Sequence, residues 1–139
     1  MKKLLRQFVI LMMIAAIPAS ASAWLQWERG KWDAFRDYSV LISEILQWKE
    51  QVLWVDSRSA ADFSVAHVPG AVRLTEDDWN ELLPELLKTW EAERVVMVYC
   101  SSRKCHASEE VAKRLREEVG LKPVYVLRGG WEAWKGAQR

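Results

Sequence analysis

The sequence predicts an α/β domain, with a parallel sheet covered on both faces by helices. Two observations carry this. Short β-branched apolar runs alternate along the chain with segments whose apolar residues recur at helical spacing. That alternation builds strand–helix–strand units and hence a parallel sheet. The turn formers Pro69-Gly70 and Gly129-Gly130 also fall between such segments rather than inside them. The 139 residues suit one domain, and a chain that is 50% hydrophobic and 28% charged can build a packed core.

The N-terminus reads differently. Lys2, Lys3 and Arg6 precede an unbroken apolar run from Phe8 to Ile17. Pro18 breaks that run, and Ala21-Ser22-Ala23 has the small-x-small form of a signal-peptidase site. Residues 1–23 are therefore expected to be an export signal, because the greasy stretch is short for a span of about 20 residues. The expected location is outside the cytoplasm, in a bacterium the periplasm. The alternative is an uncleaved anchor holding the domain at the outer face of the membrane. Residues 24–37 (WLQWERGKWDAFRD) form a Trp-rich extension. Its expected role is to dock on the domain; the alternative is a membrane-interface or partner-binding arm. The domain itself is expected over 38–139.

Within the domain, Leu41, Ile45 and Trp48 predict a helix over Leu41–Trp48, with Ser43 as a candidate cap. Val52–Val55 reads as a buried strand ending at Asp56, Ser59–Val65 as a short helix, and Ala71–Leu74 as a brief strand. From Trp79, the residues Leu82, Leu83, Leu86, Leu87 and Trp90 make an amphipathic stripe, which Pro84 is expected to kink or split. Val95–Tyr99 is the best candidate for a central strand. Val111, Ala112, Leu115 and Val119 give the next helix face, with Glu109–Lys113 and Glu110–Arg114 as supportive pairs and Gly120 as the C-terminal cap. Val124–Leu127 is the last strand, followed by Gly129-Gly130 and a short Trp-rich tail.

Charge excludes some functions. Twenty basic against nineteen acidic residues give a net charge of +1, and removing residues 1–23 takes it to −2. That is no electrostatic footprint for nucleic acid. Two cysteines cannot form a four-Cys zinc site or a disulfide-rich scaffold.

In parallel sheets the ligand site lies beyond the carboxyl ends of the strands. Beyond Tyr99 comes CSSRKCHAS, Cys100 to Ser108, which leaves the strand and enters a helix. A curled loop can aim backbone N–H groups inward as an anion-binding nest. The helix dipole and the cations Arg103 and Lys104 add to it. All three favour thiolate over thiol, and the thiolate is the nucleophile.

Three motifs in order, VDSRSAADFSVAHVPGAVRL (Val55–Leu74), VYCSSRKCHAS (Val98–Ser108) and VLRGGWEAW (Val126–Trp134), resemble a single-domain rhodanese over about residues 38–134. The resemblance implies a five-stranded parallel sheet flanked by helices and a catalytic cysteine at the first position of a six-residue loop. It implies that Cys100 takes sulfane sulfur from a small anionic donor such as thiosulfate, becomes a persulfide, and passes the sulfur to cyanide or a thiol. Ser101, Ser102, Arg103 and Lys104 would line the donor site, with Arg58 as a further anion contact. Asp56 and Arg58 match the family's Asp-x-Arg segment, where support of the strand end is their first role. His67 is expected to support the fold.

The loop departs from the family pattern. Its fourth position is Arg103 where many active members have glycine, and its sixth is Cys105 where they have Arg or Thr. Cys100 and Cys105 are five apart across one loop, so a disulfide is conceivable. Cys105 could attack a Cys100 persulfide, releasing sulfide and leaving a disulfide, guard Cys100 against overoxidation, or simply pack. A phosphatase loop would need arginine six positions after Cys100, and His106 stands there. No metal or cofactor is expected. Nucleic acid is not an expected partner, and membrane contact is expected only through residues 1–37. The leading expectation is thus an exported sulfurtransferase. The alternatives are a non-catalytic binding module and a thiol–disulfide protein using Cys100 and Cys105.

Overall fold

The computed structural model describes Gln7 and residues 38–48, 52–92, 94–102 and 105–139. The segment expected to be an export signal (Gln7 apart), the Trp-rich extension, Arg103 and Lys104 lie outside the described residues.

The elements run in the order β1 (Ser39–Val40), α1 (Ile42–Ile45), β2 (Leu53–Asp56), α2 (Ala60–Val65), β3 (Val72–Arg73), α3 (Trp79–Thr89), β4 (Val96–Tyr99), α4 (Ala107–Glu117), β5 (Val124–Leu127) and α5 (Gly130–Ala137). The strands form one parallel sheet in the order β1-β5-β4-β2-β3. β4 is therefore the middle strand, with two neighbours on each side. All four of its residues are completely buried. Covering both faces makes such a strand a continuous apolar run rather than an alternating one.

Alternation along β4 sorts the two half-cores. Met97 and Tyr99 belong to a cluster with Val40, Ile45, Val68 and Leu127. Trp48, Trp54, Tyr125, Trp131 and Trp134 pack against it, so Trp48 beyond α1 and Trp131 and Trp134 of α5 help cover this face. Trp54 meets Trp134 edge-on, with ring centroids 5.0 Å apart. Val96 and Val98 point the other way, to the side where α4 packs on β4 and β5. There α4 buries Val111, Ala112 and Leu115. Burial of Val111 and of Leu115 each stabilises the fold by about 1.5–3 kcal/mol relative to exposure.

The element ends follow local chemistry. Ser59 caps α2, its Oγ accepting the Asp62 N–H at 3.1 Å. Beyond α4, Gly120 takes φ +80°, and the Leu121 N–H donates back to the Leu115 carbonyl at 3.0 Å. That closes the helix as expected of a left-handed glycine stop.

The structure departs from the sequence reading at several elements. β1 was not foreseen from the residues, because two residues carry no period-2 signal. The first helix is only Ile42–Ile45, with Leu41 rather than Ser43 at its N-cap. Leu41 is still extended as it leaves β1, and the Glu44 carboxylate accepts its N–H at 3.3 Å. Pro84 does not split α3. It costs one hydrogen bond, to the Asn80 carbonyl, and Asn80 is exposed, so water can serve that carbonyl. Of the α3 stripe, Leu86 is buried, Leu82, Leu83 and Trp90 are half-buried, and Leu87 is exposed. On α4, Arg114 donates to Glu118 through two nitrogens at 2.9 and 3.1 Å and lies over the Trp79 ring.

Candidate active site at the carboxyl end of the central strand

The register sets Asp56 beside Tyr99 where β2 and β4 end. Cys100 follows, at the mouth of the loop to α4. Backbone hydrogen bonds fix the peptides on either side of this cysteine. Ser57 donates both its N–H and its Oγ–H to the Tyr99 carbonyl, each at 2.9 Å. The Cys100 carbonyl accepts the Trp131 N–H at 2.7 Å. This second bond depends on Gly130. At φ +57°, Gly130 lies so close that a Cβ there would overlap the Cys100 carbonyl oxygen and press on the Ser102 nitrogen at 3.2 Å. The glycine pair expected to make a tight turn thus also lets α5 grip the cysteine loop.

Beneath the loop lies a buried polar network. The Asp56 carboxylate accepts the Arg58 N–H at 2.9 Å, Arg58 Nε at 2.9 and 3.1 Å, and Arg58 Nη2 at 2.6 Å. Arg58 Nη2 also donates to the Ala66 carbonyl at 2.7 Å. Tyr99 Oη donates to Asp56 at 2.7 Å and accepts the Val68 N–H at 3.1 Å. The Arg58 guanidinium lies 4.6 Å from the Trp131 ring centroid and 5.5 Å from that of Tyr99. Asp56 is fully buried and the Arg58 side chain 5% exposed. The hydrogen bond to Asp56 raises the Arg58 pKa further above its ordinary value against the opposing effect of burial, so the guanidinium stays charged. Burial pushes the Tyr99 phenol well above its ordinary range; the bond from Val68 opposes this, and Asp56 reinforces it. This network joins the ends of β2 and β4 to the segment after α2, and Arg58 faces Asp56 and Ala66 within it.

His67 stands apart from the cysteine network. It is exposed, its Nδ1 donates to the Phe63 carbonyl at 2.8 Å, and its ring stacks on Phe63 with centroids 4.0 Å apart. It braces the end of α2. Ser101 and Ser102 are exposed on the loop. The loop amide of Cys105 donates back to the Ser102 carbonyl at 3.2 Å. Among the described residues no group of three His, Cys, Asp or Glu side chains could hold a metal ion.

The two cysteines form a disulfide, with Cα atoms 6.3 Å apart. Cys100 is 1% exposed. The expectation of a reachable thiolate is therefore corrected for this state. A sulfur bonded to Cys105 Sγ carries no charge and attacks nothing until the bond is reduced.

Three contributors were not foreseen: Tyr99, Ser57 and the cation–π partnership of Trp131 with Arg58. Tyr99 had a readable signal. A tyrosine ending a fully apolar strand needs a partner for its hydroxyl, and the neighbouring strand ends in Asp56. Ser57 and the Trp131 contact depend on tertiary placement and leave no local pattern.

A parallel α/β sheet whose middle strand ends in a cysteine, set before a loop and a helix N-terminus, defines a cysteine-loop domain. The chain belongs to the rhodanese family: residues 41–137 match the rhodanese-like domain. It is 34% identical over 84 residues to the thiosulfate sulfurtransferase GlpE of Tolumonas auensis, covering 60% of this chain and 73% of that protein. Among solved structures it is similar to a Bacillus halodurans protein, with TM-score 0.61 and 23% identity over 85% of this chain and 82% of that one. It is also similar to a rhodanese-like domain protein of Staphylococcus aureus, with TM-score 0.52 and 20% identity over 69% of this chain and 89% of that one. At those identities the structural likeness speaks for the fold.

Proposed function

We propose that this chain is a sulfurtransferase that moves sulfane sulfur from a small anionic donor such as thiosulfate to a thiol or cyanide through a persulfide on Cys100. One observation carries the reading: Cys100 sits at the carboxyl end of the middle strand, with the carbonyls of Tyr99 and Cys100 both held by hydrogen bonds. A nucleophile with a fixed backbone loses little freedom on reaching its transition state. The resemblance to a thiosulfate sulfurtransferase supports the same substrate class.

In the reduced protein, Cys100 attacks the outer sulfur of the donor and the leaving group departs with the bonding pair. Loop N–H groups and hydroxyls from Ser101 and Ser102, with Arg103 and Lys104, are the proposed stabilisers of charge. The persulfide then yields its outer sulfur to an acceptor, so the kinetics are ping-pong. Export remains part of the proposal, and an oxidising compartment would hold the Cys100–Cys105 bond closed at rest.

Intact mass spectrometry of reduced protein after thiosulfate tests this. The expected result is one added sulfur, about 32 Da, that is lost in Cys100→Ser. To trap the adduct whatever Cys105 does, the measurement is made in a Cys105→Ser background. No adduct there would overturn the reading. A second reading, a thiol–disulfide protein, is favoured by the disulfide itself. It predicts electron exchange with dithiols and no release of sulfite from thiosulfate.

A further inference from the structure

The disulfide lies where the donor reaction would begin, and it names a product. We propose that Cys105 is the internal acceptor for the Cys100 persulfide, so that this chain reduces sulfane sulfur to sulfide. The proposal rests on the Cys100 persulfide reading and adds to it a second catalytic residue and a different product.

The chemistry balances in three steps. The Cys100 thiolate attacks the outer sulfur of thiosulfate, the donor S–S bond breaks, and sulfite leaves with the electron pair. The Cys105 thiolate then attacks Cys100 Sγ. The bond from Cys100 Sγ to the outer sulfur breaks, and that sulfur leaves with its electron pair and takes a proton to become hydrosulfide. Two protein thiols are thereby oxidised to one disulfide while one sulfane sulfur is reduced. Turnover requires an external dithiol, which exchanges with the disulfide and is itself oxidised.

Three features of the structure support the second step. The sulfurs are joined, and the Cα separation of 6.3 Å is ordinary for a disulfide, so the product of the attack is one the fold accommodates. Cys100 is almost completely buried, which favours an acceptor within the chain over a bulky thiol from outside. Cys105 lies immediately before the N-cap of the eleven-residue helix α4. The positive end of that helix favours its thiolate, an effect opposed by Glu109 and Glu110 in the first turn. Its backbone is held as well, by the bond from its N–H to Ser102.

The test is a single turnover without added thiol. Protein is reduced, freed of reductant under anaerobic conditions and mixed with thiosulfate. Sulfite, sulfide, free thiols and intact mass are then followed. The expected result for the wild type is about one sulfite and about one sulfide for each protein, with loss of both thiols. The sulfide rate constant should not depend on protein concentration. In Cys105→Ser, sulfite still appears, the persulfide adduct accumulates and sulfide does not. A wild-type adduct that persists, with Cys105 still open to alkylation, would overturn the inference and leave the Cys100 reading intact. So would sulfide formed with a rate constant that rises with protein concentration. Absence of both sulfite and adduct in either protein would instead sink the Cys100 reading. The wild-type thiol count needs no variant, so a misfolded Cys105→Ser leaves the result readable.

Discussion

Tyr99→Phe removes one oxygen from the centre of the network and nothing else. That oxygen donates to a buried carboxylate at 2.7 Å and accepts a buried backbone N–H, that of Val68, at 3.1 Å. A bond to a charged group contributes about 1.5–3 kcal/mol, and an orphaned buried donor costs about 1–3 kcal/mol. The two losses share one atom and do not simply add, because Asp56 keeps Arg58. The expected destabilisation is therefore about 2–4 kcal/mol. A domain of this size loses about 4–8 °C of Tm for each kcal/mol, which places the fall at roughly 8–32 °C. Urea denaturation of both proteins with the disulfide intact measures it. A loss under about 0.5 kcal/mol would mean that the hydroxyl is solvated and the network reasoning is wrong.

A pH series adds an independent arm. The Tyr99 pKa is raised in the folded protein, chiefly by burial, so the folded state holds its proton more tightly than the unfolded chain does. The linked stability is complete below the ordinary phenol value near 10 and is lost as pH rises above it. Tyr99→Phe should lack that part of the alkaline loss, and the two stability curves should converge at high pH. Parallel curves would refute the assignment.

Other expectations follow from the same geometry. Asp56→Ala leaves the Arg58 charge buried without its partner and should cost about 3–5 kcal/mol in urea melts, whereas joint replacement by Asp56→Ala and Arg58→Met should cost less than the sum of the single changes. Gly130→Ala should destabilise by more than Gly70→Ala in the same melts. Both glycines have positive φ, but only the Cβ at 130 meets the Cys100 carbonyl, which adds about 1–3 kcal/mol of overpacking to the shared backbone strain. Oxidised wild-type protein should release no sulfite from thiosulfate, and prior treatment with a dithiol that is then removed should restore the release; sulfite formed without reduction would mean that Cys100 is not the acceptor.

The sequence made the alternation of strands and helices legible because β4 is an unbroken apolar run rich in valine and α4 is long enough to express its period. It also placed the cysteine, since a β-branched run ending in Cys before a helix has a position that topology alone defines. What escaped was short or nonlocal. β1 has two residues, and its pairing with β5 rests on backbone bonds such as Val126 N–H to the Tyr38 carbonyl. Asp56 and Arg58 could be matched as a pair, yet Tyr99 and Trp131, which complete their surroundings, come from other strands and helices. The two cysteines were visible as neighbours, but no spacing rule chooses between a thiol pair and a closed bond.

The grip of α5 on the Cys100 carbonyl has a consequence for biogenesis. Gly130 follows Cys100 by some thirty residues, so during synthesis the cysteine emerges well before its clasp. A nascent chain carries both thiols on an unfastened loop, open to any oxidant or stray sulfur compound it meets. Only docking of the downstream helix locks that peptide in place, so maturation of the reactive centre waits on the closing segment of the fold.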